Sequence, residues 1–526
     1  MAGSPRLPVA TGPASAKSRP MNGWPGVLLL AGLLVMACSA SGPEQIDPDR
    51  PPLPAVADGG AAEVDAGAGE TAAADPAPPA LGAGAGAEVE TVTDAGVAAA
   101  RVPVEARGVW VTRWDYRTAA DVERIVEQLA AAGFNQVYLQ VRGAADAYYR
   151  STQEPWAAAL SGKLGRDPGW DPLQTAVAAA HARGLELHAW INVCTGWKGA
   201  RPPGRAEPKH LMRAHPQWRV RDRRGRPMPY SDGAYVFVNP AHPAFGRHLE
   251  AVVGEIASFY AIDGLHLDYA RYPGRQYSHD RVSRRRFRAA RKKQPELDRG
   301  DWQRRELTRL VARLKRRVIE VRPRAVVSAA VTGIYRDRWG WGQVTQGWAD
   351  FFQDSHAWAE QGAVDALLPM IYWPPTAPAG EPTDFATLVD DFAPLAERVQ
   401  LLAGINVEAG DFAVLEREIQ LARAAGLHGV VLFAYRALVE REWLTRLAAG
   451  PFARPARPPD PPPRKAAVGW GRLHSLGLRI ALRATSTISS HGGWSSGAWL
   501  SSLAPPSAST ASASSAGTCP ARAPRQ

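Results

Sequence analysis

Between about residues 104 and 450 the chain alternates short apolar runs with longer stretches in which apolar positions recur at helical spacing. Strand-like runs begin near Arg107 ("RGVWVTRW"), Phe134 ("FNQVYLQVRG"), Leu185 ("LELHAWINV") and Ile262 ("IDGLHLDYARYP"). Four more begin near Ala325, Ala366, Val399 and Gly429. Each is followed by an amphipathic stretch, such as 119–132 or 411–424. Gly133, Gly184, Gly362 and Gly426 each stand where a helix should stop before the next strand. Eight alternating units predict an α/β fold, a closed (β/α)8 barrel of parallel strands.

The spacing of the units carries a second message. Surplus chain falls after strands, at about 144–170, 194–242, 270–300 and 333–348. In such barrels the segments leaving the C-terminal ends of the strands build the active site. The insertions therefore predict a substrate groove at that end.

Strand periodicity then says which side chains point into the barrel. In the fourth strand Gly264, His266 and Asp268 share the inward face, with Asp268 nearest the mouth. An aspartate in an apolar strand is costly unless it is paired or working. A salt bridge to Arg271 or Arg142 would satisfy it; a catalytic carboxylate is the sharper expectation. The same parity directs Gln140 and Arg142 inward from the second strand, and His188, Trp190 and Asn192 from the third. It directs Asn406 and Glu408 inward from the seventh, and places Tyr372 or Trp373 at the end of the sixth and Tyr435 at the end of the eighth. Carboxylates, amides and aromatic faces together suit a sugar, which offers hydroxyls to polar groups and an apolar ring face to aromatics. The predicted substrate contacts are thus Arg142, Trp190, Asn192, His266, Arg271, Tyr372, Trp373 and Tyr435.

Composition changes the picture mainly at the two ends. The apolar run Gly26–Ala37 follows Arg6, Lys17 and Arg19 and is short for a membrane span, so 1–38 reads as an export signal. It ends in Val35-Met36-Ala37-Cys38, which resembles the lipobox of bacterial lipoproteins. Cys38 would then carry lipid and anchor the protein to the membrane, and Ser39 behind it points to the outer membrane. Residues 39–103 are rich in Ala, Gly and Pro, with eleven acidic residues against one basic residue over 39–100, and read as a flexible spacer. Residues 451–526 read as a Pro/Ser/Ala-rich tail.

The net charge of +11 raises nucleic acid as a partner, but no nucleic-acid motif accompanies it. The densest basic stretch, 281–293, reads as a solvated helix face, with docking to an acidic polymer as the alternative. Three scattered cysteines, Cys38, Cys194 and Cys519, do not form a disulfide framework. No phosphate loop, dinucleotide fingerprint or Gly-x-Ser-x-Gly elbow appears. Neither a cofactor nor a bound metal is expected, and the chain is expected to act as a monomer.

The quoted segments, with "LSGKLGRDPGWDPL", "HPQW", "NPAHP" and "QDSHAWAEQGAVDALLPMIYW", resemble the bacterial glycosyl-hydrolase-like family 10 over about 104–447. The resemblance implies an exported or lipid-anchored barrel hydrolase, one branch of which acts on peptidoglycan glycan strands stripped of peptides. By it, Asp268 matches the strand-four aspartate, Asp146 the acidic residue of the strand-two loop, and Asp354 and Trp358 the helix before strand six. Many members carry a second aspartate where this chain has Tyr269, which puts a two-aspartate mechanism in doubt. Asp268 is therefore read as nucleophile or charge stabiliser. Glu408, by inward parity, and then Asp146 are the candidates for the raised-pKa general acid that glycosidases need. If the sugar is N-acetylated, its acetamido group could assist, with Asp268 orienting it. A non-catalytic glycan-binding lipoprotein and a metal-dependent carbohydrate deacetylase are the rival readings.

Overall fold

Eight strands close into a parallel barrel in a computed structural model of the chain, which describes residues 102–342, 344–375 and 384–463. In chain order the strands are β1 (Ala106–Val111), β2 (Gln136–Arg142), β3 (Glu186–Asn192), β4 (Thr195–Gly199), β5 (Ser231–Phe237), β6 (Gly264–Asp268), β7 (Val326–Thr332), β8 (Ala366–Met370), β9 (Gln400–Asn406) and β10 (Gly429–Phe433). The barrel runs β1-β10-β9-β8-β7-β6-β3-β2, so the eight apolar runs are its eight strands. Cys38, the acidic spacer and most of the tail lie outside the described residues.

The strands read as near-continuous apolar text because both of their faces are covered. Every residue of β1, β2 and β7 is buried. The outward face packs Val109, Leu139, Ile191, Leu265, Leu267 and Leu432 against the helices. Inward, Trp110, Tyr138, Trp190, Ala330, Leu368 and Val431 fill the barrel as a separate core. Gly264 opens β6 because a Cβ there would lie 2.0 Å from His188 Nδ1; its missing side chain makes room for that ring. The predicted helix stops Gly133, Gly184, Gly362 and Gly426 all adopt positive φ, at 80°, 71°, 63° and 73°.

Two features depart from the sequence reading. The surplus after β3 contains a two-stranded antiparallel hairpin, β4–β5, with Lys198 opposite Tyr235. The first dozen residues assigned to the tail belong to the barrel. Phe452 is 3% exposed and packs edge-on against Phe134, and the Phe452 and Arg454 carbonyls accept hydrogen bonds from buried Arg107. Val104 pairs with Arg457 beside them, so the segment closes the base of the barrel. Its proline-rich composition had concealed that contact.

Candidate active site

A cavity of about 650 Å3, measured to its open rim, lies at the C-terminal ends of the strands. Asp268, the last residue of β6, is the one carboxylate among the described residues that line it. Its partner across the ladder is Asn192, the last residue of β3. The chain turns sharply beyond Asp268: Tyr269 has φ 48°, an uncommon conformation for a non-glycine residue, and its N–H donates to Asp268 Oδ1 at 2.5 Å. Burial raises the Asp268 carboxyl above its ordinary range, against the opposing pull of the Arg271 guanidinium, the Tyr269 N–H and the Trp190 indole. That indole N–H is buried and has no hydrogen-bond partner of full geometry among the described residues.

The remaining lining mixes two chemistries. Trp114, Met370, Tyr372 and Phe433 supply aromatic and apolar surface, with Tyr372 stacked on Phe433 at 5.8 Å between centroids. Arg113, Lys198 and Arg271 supply cations, the first of them lying over the Trp114 ring. A short relay fixes the first of these. Gln140 Oε1 accepts from Arg113 Nη1 at 3.2 Å, Gln140 Nε2 donates to Asn192 Oδ1 at 3.1 Å, and Asn192 Nδ2 donates to the Gly143 carbonyl at 3.2 Å. Arg113 Nη2 donates to the Tyr235 hydroxyl at 2.8 Å. Gly143 is required here, since a Cβ on it would lie 1.9 Å from Arg113 Nη1.

Of the residues expected from sequence, Asp268, Trp190, Asn192, Arg271 and Tyr372 meet in this cavity. The others do not line it. Arg142 is fully buried in a different place. The register of β2 against β3 shifts between Gln140 and Arg142, which reverses the side-chain alternation. Arg142 thus grips Glu154 through two bonds of 2.7 and 2.8 Å and donates to the Asn192 carbonyl. Burial alone would raise the Glu154 carboxyl, but Arg142 and His248 hold it well below its ordinary range.

His266 sits inside the barrel, below the cavity. Its Nε2 accepts from the Trp110 indole at 2.9 Å and its Nδ1 pairs with the Ser328 hydroxyl at 2.9 Å. An accepting Nε2 means a neutral ring, in accord with burial and the nearby His188 pushing its pKa well down. Tyr435 opens a helix, Tyr435–Glu440, rather than ending β10, and its hydroxyl donates to Gln128 on the outer helix Ala119–Ala131 at 2.6 Å. Trp373 is half-buried against the outer core. Glu408 lies two residues past β9 and is exposed; partial burial and the Glu440 carboxylate raise its carboxyl. Asp146 accepts from the Ala144 N–H at 2.9 Å in the loop after β2. Asp354 caps the helix Ser355–Glu360, and Trp358 is buried with its indole donating to Thr308.

Arg113, Trp114, Gln140, Lys198, Tyr235 and Phe433 are lining residues outside the predicted set. Parity pointed Gln140 inward, but Lys198 and Tyr235 sit on a hairpin whose short apolar run, 234–238, falls within the surplus after β3 and was not read as a strand. No three His, Cys, Asp or Glu side chains converge as a metal-ligand set among the described residues.

A (β/α)8 barrel with its polar and aromatic cavity at the strand mouth has the architecture of a barrel hydrolase. The chain belongs to the family described as glycosyl hydrolase-like 10, whose profile matches residues 105–414. It is 27% identical over 303 residues to the glycosyl hydrolase DigH of Escherichia coli (strain K12), covering 51% of this chain and 65% of that protein. It is 25% identical over 296 residues to the glycosyl hydrolase YngK of Bacillus subtilis (strain 168), covering 53% of this chain and 56% of that one. The match thus spans less than two thirds of the length of either curated relative. Among solved structures it is similar to the PgaB (BpsB) glycoside hydrolase domain of Bordetella bronchiseptica. That match has a TM-score of 0.49 and 16% identity, and covers 66% of this chain and 98% of that one.

Proposed function

We propose that this protein hydrolyses glycosidic bonds in a cell-envelope polysaccharide, its substrate being peptidoglycan glycan strands freed of peptides, with Asp268 as the reacting carboxylate. The observation that carries this reading is the placement of Asp268 in a mouth cavity with aromatic walls, in a member of a glycosyl-hydrolase-like family. Burial favours the protonated acid, which suits a proton donor better than a nucleophile.

With no second carboxylate among the described lining residues, the substrate's own acetamido group is the fitting nucleophile. Its carbonyl oxygen bonds to the anomeric carbon as the bond to the leaving oxygen breaks. Asp268 gives its proton to that oxygen. Water then adds to the anomeric carbon, reopening the cyclic intermediate, and Asp268 takes the released proton back. The export signal and Cys38 lipobox fit an enzyme held in the envelope, at the outer membrane.

The same shortage of carboxylates favours a second reading, a non-catalytic glycan-binding lipoprotein. Incubation of the purified protein with peptide-free glycan strands, followed by mass spectrometry, separates the two. Hydrolysis predicts shortened strands with new reducing ends, and Asp268→Asn should slow their release by about 10²–10⁴-fold, the usual worth of a general acid. Binding without any new reducing end would leave the glycan-binding reading in place.

A further inference from the structure

Five arginines of the described chain are buried, and they fall into two groups. Arg107, Arg142 and Arg304 are each neutralised by a carboxylate: Glu105 at 2.8 Å, Glu154 at 2.7 Å and Asp301 at 2.7 Å. Arg113 and Arg271 are not, and both line the mouth cavity. Arg113 donates only to neutral acceptors, Gln140 and Tyr235, and lies against the Trp114 ring, with the Asp146 carboxylate in electrostatic reach but not in ion-pair contact among the described residues. Arg271 is 5% exposed, with its guanidinium 4.4 Å from the centroid of Tyr269 and 4.9 Å from that of Phe351. Among the described residues the Arg271 guanidinium makes no hydrogen bond and no close ion pair, although Asp268 lies within its electrostatic reach. Lys198 adds a third cation, 5.6 Å from the Tyr235 ring that also receives the Arg113 bond.

Burying a charge without a partner is expensive, and a guanidinium with free donors in a concave site is matched geometrically by a carboxylate. Hydroxyls of a neutral sugar would satisfy hydrogen bonds but leave the charge of the site unbalanced. We propose that Arg113, Lys198 and Arg271 form a subsite for a free carboxylate carried by the sugar, so that the protein acts on acidic glycans and discriminates against the same glycans with that carboxyl blocked. The proposal rests on the glycan-hydrolase reading and adds the chemistry of recognition to it. A peptide-free peptidoglycan strand offers such a group on its lactyl ether, and an amide-linked peptide removes it. A uronic acid offers the same group on the ring.

The test uses the full-length protein and three probes: peptide-free glycan strands, the same strands with their carboxyls converted to methylamides, and a polymer alternating N-acetylhexosamine with uronic acid. Cleavage and binding are both measured. Blocking the carboxyl should lower kcat/KM at least tenfold, mainly through KM, and weaken binding to the same extent. Lys198→Gln and Arg271→Gln should each shrink the ratio between free and blocked strands. Should Arg271→Gln fail to fold, the half-buried Lys198→Gln carries the comparison.

Preference for the uronic polymer would assign the carboxylate to a ring acid. Equal cleavage and equal binding of free and blocked strands would overturn the subsite while leaving the hydrolase reading intact. If no strand is cleaved, the hydrolase reading has failed, and the binding ratio alone decides the subsite.

Discussion

Replacing His266 by leucine separates a structural role from a substrate-binding one. The ring joins three strands through Trp110 and Ser328, all three side chains being almost wholly buried. His266→Leu strips both partners and leaves the Trp110 indole N–H with no acceptor. An orphaned buried donor costs about 1–3 kcal/mol and a lost neutral bond about 1 kcal/mol, so the expected loss is about 2–4 kcal/mol.

The pH dependence is a sharper signature. The folded protein holds His266 neutral, with its pKa well below normal. The unfolded chain binds a proton there below about pH 6.5, so acidification favours unfolding, with a slope of up to about 1.4 kcal/mol per pH unit. Stability contributed by the neutral ring is thus complete above that pH and lost as pH falls below it. Urea titrations at pH 7.5, 6.0 and 5.0 should show the wild type converging on His266→Leu as the pH drops. His210, lowered by its own burial with no contribution from His266, is the same in both proteins and cancels in the difference. The reasoning is refuted if the two proteins lose stability in parallel, or if the variant is fully stable but binds glycan at least tenfold more weakly.

Gly143→Ala should push the Arg113 guanidinium from its place, because the new methyl would sit 1.9 Å from Nη1. Glycan KM should rise about tenfold, the worth of one charged hydrogen bond, and an unchanged KM would count against the relay. Arg142→Met should cost about 3–5 kcal/mol in urea unfolding by leaving Glu154 charged and underpaired; a variant stable to within 1 kcal/mol (on the same scale) would contradict this. Cys38→Ser should move the protein from the membrane fraction to the soluble one, and unchanged fractionation would dismiss the lipobox.

The barrel was legible because each strand is buried on both faces and so announces itself as an apolar run. The inward parity of Trp190, Asn192 and Asp268 followed from simple alternation. That rule failed where the backbone stopped alternating. One extra residue in β2 turned Arg142 away from the lumen, and the early start of a helix carried Tyr435 to the outer layer. Glu408 failed for a related reason, since parity has no meaning beyond the end of β9. Lys198 and Tyr235 were missed because their short hairpin lies inside the surplus after β3, and only its ends are buried, so it lacks the apolar run of a barrel strand. Phe452 was hidden by proline-rich neighbours, which signal irregular backbone but say nothing about whether that backbone is packed.

The pairing of Val104 with Arg457 brings the incoming and outgoing arms of the barrel side by side, beneath the feet of the strands. Adjacent termini of this kind usually tolerate attachments, since whatever is joined there meets the domain at one spot. Here that spot is on the face opposite the cavity. A tag, a carrier protein or a solid support linked through either arm would therefore hold the molecule by its floor and leave the opening turned outward. Immobilised protein should accordingly keep its access to polymeric substrates too large to diffuse beneath it.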